Sequence, residues 1–275
     1  MGDIAYQLVG SGARKLVFFH GLMGRGRNFG AIARSLGDEF TSMLVDMPNH
    51  GESTWTDTFS YLDMADALAE VVRGEFASTD GQLEPVALVG HSMGGKAAMV
   101  LALRHPELIE RLAVVDIAPG ASGSSPGGFE HLLTSMAAVD LSTVARRSDA
   151  DAQLLERIPD TTIRQFLLQN LRPAGSGSYA WQPNLTMLTG ALGGVLGWPE
   201  FVAPPYTGPV VWIAGEQSNY IRDDDDAPMR ALFPRVRKAT IRDSGHWVHS
   251  EQPERFLATL RYFLDQPNPE HPSGV

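Results

Sequence analysis

Residues Glu84 to His105 read EPVALVGHSMGGKAAMVLALRH. Val86 to Val89 is a short apolar run with β-branched residues, bounded by Pro85 and Gly90, and predicts a buried strand. Lys96 to Arg104 is rich in Ala, Leu and Met, contains neither Pro nor Gly, and predicts a helix. Between them lies Gly90-His91-Ser92-Met93-Gly94, the pattern G-x-S-x-G. A strand that enters a helix through so few residues must turn sharply. Glycines two before and two after the serine let neighbouring backbone approach where a Cβ would clash. The expected result is a nucleophile elbow, with the Ser92 hydroxyl held at the head of the helix.

Working outward, short apolar runs alternate with helical stretches. Strands are expected at Ile4 to Val9, Lys15 to Phe19 and Thr41 to Val45 before the elbow, and at Leu112 to Val115, Val210 to Ile213 and Arg237 to Arg242 after it. Helices are expected at Asn28 to Leu36, Tyr61 to Phe76 and Pro253 to Phe263. In the second of these, Leu62, Ala65, Leu68, Ala69 and Val72 form the apolar face. Such alternation gives an α/β fold with a mostly parallel sheet and reactive residues at the carboxyl ends of strands.

The alternation is interrupted once. A Gly/Ser-rich linker from Gly120 to Gly128 leads into helical segments over Phe129 to Leu171 with no convincing strand. From Pro173 to Pro199 there is no Asp, Glu, Lys or Arg. Prolines and paired glycines there argue against a membrane helix. Residues 120–203 are therefore expected to form an inserted helical cap, and residues 1–119 with 204–275 the core. The apolar underside of the cap would suit an acyl chain or simply pack on the core.

The chain has 275 residues and a formal net charge of -10. Nucleic acid and anionic membrane surfaces attract basic patches, so neither is an expected partner. There is no cysteine, which removes thiolate and disulfide chemistry and fits a reducing, cytoplasmic setting. The first residues show no signal-peptide pattern, and no apolar run is long enough to insert stably in a bilayer. The tail from Gln266 is Pro-rich and expected to fray.

A serine hydroxyl needs a base to take its proton, and histidine suits that task. The base needs a carboxylate to fix its tautomer. Of eight histidines, His91 adjoins the serine, His20 and His50 precede it in crevice loops, and His105, His131 and His271 lie elsewhere. That leaves His246, in a short loop between strand and helix, ahead of His249. The usual acid position follows the strand Val210 to Ile213, but Ser218 stands there. Asp116, at the end of the preceding strand, is the natural substitute, with Asp223 or Asp224 of the tetra-aspartate run as rivals. The oxyanion donors are expected to be the backbone N–H groups of Leu22 and Met93. Met23, Phe166, Trp181, Leu185 and Trp247 are expected to line the substrate pocket. Asp46 and His50 are read as loop hydrogen-bonding residues. No spacing supports a metal site, and no cofactor is expected.

The segments FFHGLMGRGRNF, VDMPNHGES, VGHSMGGKAAM, VVDIAP, IRQFLLQNL and SGHWVHSEQPERF carry a family resemblance. Across nearly its whole length the chain resembles the α/β-hydrolase-fold esterases of the YbfF/ABHD11 type. The resemblance implies hydrolysis of carboxylic esters and acyl-CoA thioesters, and a triad acid after the sixth strand, here Asp116. Pro48 departs from the pattern, since such esterases often carry arginine there. The expectation is a small-molecule serine hydrolase, a monomer or homodimer, using Ser92, Asp116 and His246. The same fold also hosts carbon–carbon bond hydrolysis, perhydrolysis and non-catalytic ligand binding, which an intact Ser, Asp and His disfavours in the last case.

Overall fold

Alternate residues of one strand explain how the two sides of this molecule are filled. Side chains along a strand point to opposite faces. In Arg14–Phe19, Leu16 and Phe18 enter one apolar cluster and Val17 and Phe19 the other. A strand buried on both faces must be apolar throughout, which is the mark of a parallel sheet covered on both sides.

The computed structural model describes residues 2–77, 84–121, 126–175 and 177–267. In chain order the first part comprises β1 (Tyr6–Val9), β2 (Arg14–Phe19), α1 (Gly30–Ser35), β3 (Phe40–Val45), α2 (Tyr61–Phe76), β4 (Val86–His91), α3 (Met93–Arg104) and β5 (Ile109–Val115). Then follow α4 (Pro126–Ala137), α5 (Arg147–Leu154), α6 (Thr161–Leu168), a hairpin of β6 (Leu171–Pro173) and β7 (Tyr179–Trp181), α7 (Leu185–Gly190) and α8 (Leu192–Leu196). The chain closes with β8 (Val210–Gly215), α9 (Asp226–Leu232), β9 (Val236–Ile241), α10 (Val248–Glu251) and α11 (Pro253–Leu264). The main sheet has seven strands in the order β1-β3-β2-β4-β5-β8-β9. Only β1 runs antiparallel to its neighbour.

One cluster lies under α2, α3 and the segment between β5 and β8. The other lies under α1 and α11, where Phe256, Leu260 and Leu264 recur at helical spacing. Phe18 stacks on Phe29 at 4.9 Å between ring centroids, and both rings are fully buried. Burying one such side chain contributes about 1.5–3 kcal/mol.

Several boundaries differ from the sequence reading. The first strand starts at Tyr6, and the helix expected from Asn28 opens as a 3-10 turn over Gly26–Phe29. Helix α2 spans the expected residues, but its buried face takes in Tyr61 and Met64 in place of Leu62, a shift of about one position. Helix α3 begins at Met93, so Gly94 and Gly95 lie inside its first turn. Between β5 and β8 the hairpin was not expected. It turns through Gly175 and Gly177, both at positive φ, which glycine adopts without steric cost. Part of the Gly/Ser-rich linker and the tail from residue 268 lie outside the described residues. Among the described residues no helix is long and apolar enough to cross a membrane.

Candidate active site

Strand β4 delivers the chain to Ser92, which has φ 53° and ψ -120°. Positive φ in a non-glycine residue costs on the order of 1–3 kcal/mol and survives only where its surroundings enforce it. Here the Ser92 N–H donates to the Val115 carbonyl at 3.0 Å, and the Ser92 carbonyl accepts from the Lys96 N–H at 3.0 Å. The flanking glycines are required by space. A Cβ on Gly90 would lie 2.4 Å from the Gly94 carbonyl oxygen, and one on Gly94 would lie 2.4 Å from that of Phe19. The Ser92 hydroxyl does not cap α3, so it is left for another partner.

That partner is His246. The Ser92 Oγ–H donates to His246 Nε2 at 3.0 Å, and His246 Nδ1–H donates to Asp116 Oδ2 at 2.8 Å. Asp116 sits just past β5 at φ 51°, with its N–H bonded to the Ile213 carbonyl at 2.8 Å. Its side chain is fully buried. A buried carboxylate is costly unless its oxygens are paired. Oδ1 accepts from the Gly215 N–H at 2.9 Å, and Oδ2 also accepts from the Ser218 hydroxyl. The residue at the usual acid position thus supports the carboxylate one strand over. The rival Asp223 and Asp224 are exposed in a short turn ahead of α9, where Arg222 pairs with Asp224 at 3.7 Å.

The imidazole is held by groups that sequence reading did not single out. Tyr220 stacks on it at 3.7 Å with planes 17° apart. The His246 carbonyl accepts from His91 Nε2 at 2.8 Å. The Glu251 carboxylate clamps the loop on both sides, accepting from the N–H of Gly245 at 2.6 Å and of Trp247 at 3.1 Å. Only the Glu251 pairing had a local signal, an acid shortly after the histidine in the first turn of α10. His249, the less favoured base, packs instead against the ring of Phe29 at 4.6 Å.

Opposite the elbow runs the loop after β2. A Cβ on Gly21 would lie 3.1 Å from Ser92 Cβ, so this backbone adjoins the nucleophile. The N–H groups of Leu22 and Met93 are the candidate oxyanion donors. Two buried histidines brace the loop. His20 Nε2 accepts from the Met47 N–H at 2.9 Å while its Nδ1–H donates to the Gly21 carbonyl at 2.8 Å. His50 Nε2 accepts from the Met23 N–H at 3.1 Å while its Nδ1–H donates to the Pro48 carbonyl at 3.0 Å. Asp46 accepts from the N–H of Gly26 at 2.8 Å and of Glu52 at 3.0 Å.

Each brace uses one ring nitrogen as donor and the other as acceptor, which requires neutral imidazole. Burial accordingly lowers the pKa of His20 to about 4 and that of His50 to about 3, and holds His91 well below the usual range. Unfolding returns all three to about 6.5. Between the folded and unfolded values the unfolded chain binds more protons, so stability is present above about pH 6.5 and falls as pH drops below it. Three rings contribute up to roughly 4 kcal/mol per pH unit together. The fold is expected to unfold cooperatively between about pH 6 and pH 4, read by circular dichroism. A signal unchanged down to pH 4 would contradict the neutral braces.

Two small crevices reach Ser92, each with a cavity of about 10 Å³, room for about one water. The first is lined by Leu22, Phe129, Phe166, His246 and Trp247, and the second by Met93, Lys96, Ile117, Val195, Leu196 and Tyr220. A vestibule of about 370 Å³ shares Asn28, Phe166, Trp247 and His249 with the first. Phe166 and Trp247, with ring centroids 5.7 Å apart, therefore stand between the vestibule and Ser92. Met23, Trp181 and Leu185 line neither the crevices nor the vestibule, contrary to the sequence reading. All three are buried in the larger apolar cluster. Met23 is held there because its N–H and C=O are tied to His50 and to Asn170 Nδ2. Trp181 is committed to the β6–β7 ladder, opposite Leu171.

A family model described as alpha/beta hydrolase fold matches residues 15–253. The chain belongs to the α/β-hydrolase fold family. Within this family it is 36% identical over 256 residues to the sn-1-specific diacylglycerol lipase ABHD11 of Mus musculus, covering 90% of this chain and 80% of that one. It is 30% identical over 250 residues to Esterase YbfF of Escherichia coli strain K12, covering 91% and 92%. Among solved α/β-hydrolases, a marine microorganism esterase superposes with a TM-score of 0.90 at 32% identity, covering 96% of this chain and all of that one.

Proposed function

We propose that this chain is a serine hydrolase that cleaves carboxylic esters, and acyl thioesters, of hydrophobic acyl groups. The observation that carries the reading is the unbroken line from the Ser92 hydroxyl through His246 to Asp116, at 3.0 and 2.8 Å. With Nδ1–H directed at Asp116, the Nε2 lone pair faces Ser92 and can take its proton as the oxygen attacks an acyl carbon. The tetrahedral oxyanion forms beside the N–H groups of Leu22 and Met93. His246 then returns the proton to the leaving alcohol or thiol, leaving acyl-Ser92. Water, activated by the same imidazole, completes hydrolysis. No step calls on a metal or cofactor. Similarity to an enzyme named a diacylglycerol lipase and to two named esterases supports an ester substrate.

In this reading residues 120–203 are the cap and residues 1–119 with 204–275 the catalytic core. The apolar crevice walls at Phe129, Phe166, Val195 and Leu196 suit an acyl chain. The test is a chain-length series of p-nitrophenyl esters and acyl-CoA thioesters. Turnover is expected on the esters, with kcat/KM rising as methylenes are added, by up to about 4-fold for each one buried. A series in which no ester is hydrolysed above background would sink the proposal.

A further inference from the structure

Lys96 takes no part in the line from Ser92 to Asp116, yet it is 1% exposed and one helical turn beyond the nucleophile. Its ammonium donates to three carbonyls: Gly120 at 2.8 Å, Leu196 at 2.6 Å and Gly197 at 2.6 Å. An ammonium has three donors, so all are used. The acceptors come from the two ends of one excursion. Gly120 lies just past β5, where the chain departs from the sheet. Leu196 and Gly197 end α8, where the carbonyls of a helix lack partners within it. Burial lowers the Lys96 pKa to about 7, opposed by the carboxylate of Asp225, and the three carbonyl dipoles favour the charged form. An apolar side chain here would avoid that desolvation cost but would take away the donor that the three carbonyls share, so what the ammonium adds is a tie between them.

The same end of the excursion is anchored again by Tyr61, whose hydroxyl donates to the Val195 carbonyl at 2.6 Å. Val195 and Leu196 are also walls of the second crevice at Ser92. With cavities of only about 10 Å³ at the nucleophile, an acyl chain enters only if some wall moves. Of the opposite walls, Phe129 lies on α4, which among the described residues makes no hydrogen bond to the core. Phe166 lies on α6, which is tied to the core only past its C-terminal end, where Gln169 accepts from Arg27 at 3.2 Å and from Asn28 at 2.8 Å and Asn170 donates to the Met23 carbonyl at 2.7 Å.

We propose that Lys96 is a positioning residue that pins both ends of residues 120–203 to the serine-bearing helix. It fixes the Val195–Leu196 wall against Ser92, and substrate entry displaces the α4 and α6 walls instead. The inference rests on the ester-hydrolase reading above.

The test is Lys96→Met in the full chain, with active sites counted by a fluorophosphonate probe. Per titrated site, kcat/KM for p-nitrophenyl decanoate is expected to fall about 10-fold or more, mainly through KM. That for p-nitrophenyl acetate, too short to need the wall, is expected to fall under about 3-fold. Equal losses on both esters, or no loss on either, overturn the inference. Should the variant not fold, hydrogen exchange on the unaltered protein decides. Amides of residues 194–197 are expected to exchange at least about 10-fold more slowly than those of α4 and α6, and the reverse order overturns it. A chain that takes up no probe at Ser92 overturns the ester-hydrolase reading instead, and the exchange comparison then judges the tether by itself.

Discussion

Replacing Ser92 by alanine is expected to lower kcat for p-nitrophenyl esters by about 10⁴- to 10⁶-fold, with the fold intact. The two halves of that statement have separate causes. Alanine keeps the Cβ, so the φ of 53° is no more strained than before, and the backbone bonds to Val115 and Lys96 remain. The hydroxyl makes one side-chain hydrogen bond, to His246, and does not cap the helix. Its loss leaves Nε2 facing a cavity that one water can fill. Stability is therefore expected to change by less than about 1 kcal/mol, read by thermal unfolding. Catalysis loses the atom to which the acyl group is transferred, and nothing else in the crevice replaces it. Lys96 Nζ, on the wall of the second crevice, is held by three carbonyls. Because serine and histidine act as a unit, Ser92→Ala combined with His246→Ala should be no slower than either alone. Residual turnover above about 1% of the unaltered protein would mean that another group carries the reaction.

What could be read beforehand depended on the range of the physical signal. The elbow was legible because its chemistry is local: strand, glycines, serine and helix lie within twenty-two residues of sequence, and sterics dictate their order. The α/β fold followed from alternating periods, which miss elements shorter than the period can register. The β6–β7 hairpin has three residues in each strand, too few to show alternation. Asp116 was suggested by an absence, Ser218 where an acid was expected, and the Ser218 hydroxyl turns out to donate to the Asp116 carboxylate. By contrast, Tyr220 against His246 and Lys96 against Gly120, Leu196 and Gly197 are meetings between distant segments. Neither has a spacing to detect. The pocket residues fared unevenly for the same reason. Trp181 and Leu185 are apolar in an uncharged stretch, but composition does not say whether an apolar side chain faces a crevice or the packed cluster beneath it.

The second large effect is expected from Asp116→Asn, with kcat falling by about 10⁴-fold and KM little changed. Three donors meet this side chain: Gly215 N–H at Oδ1, and His246 Nδ1–H and the Ser218 hydroxyl at Oδ2. A carboxylate accepts all of them, whereas an amide has one accepting end. If the amide oxygen faces His246, its NH₂ is forced against the Gly215 N–H in a site with no solvent exposure. That leaves two buried donors unpaired, at a cost of about 1–3 kcal/mol each. If the oxygen faces Gly215, that bond survives and the NH₂ points at His246 and Ser218. Ser218 can rotate its hydroxyl to accept, and His246 can accept only by moving its proton from Nδ1 to Nε2. The second arrangement satisfies the amide, Gly215 and His246 and leaves only the hydroxyl hydrogen of the half-buried Ser218 without its former acceptor, so it is the one expected to form. It is also inert, because Nε2 then carries a hydrogen where it must receive the one from Ser92. The fold is expected to persist, with the stacking of Tyr220 on the ring unchanged. Nitrogen-15 spectra of the His246 ring would read the exchanged tautomer directly. A loss of kcat below about 10-fold, or a ring still protonated at Nδ1, would mean that another carboxylate orients His246.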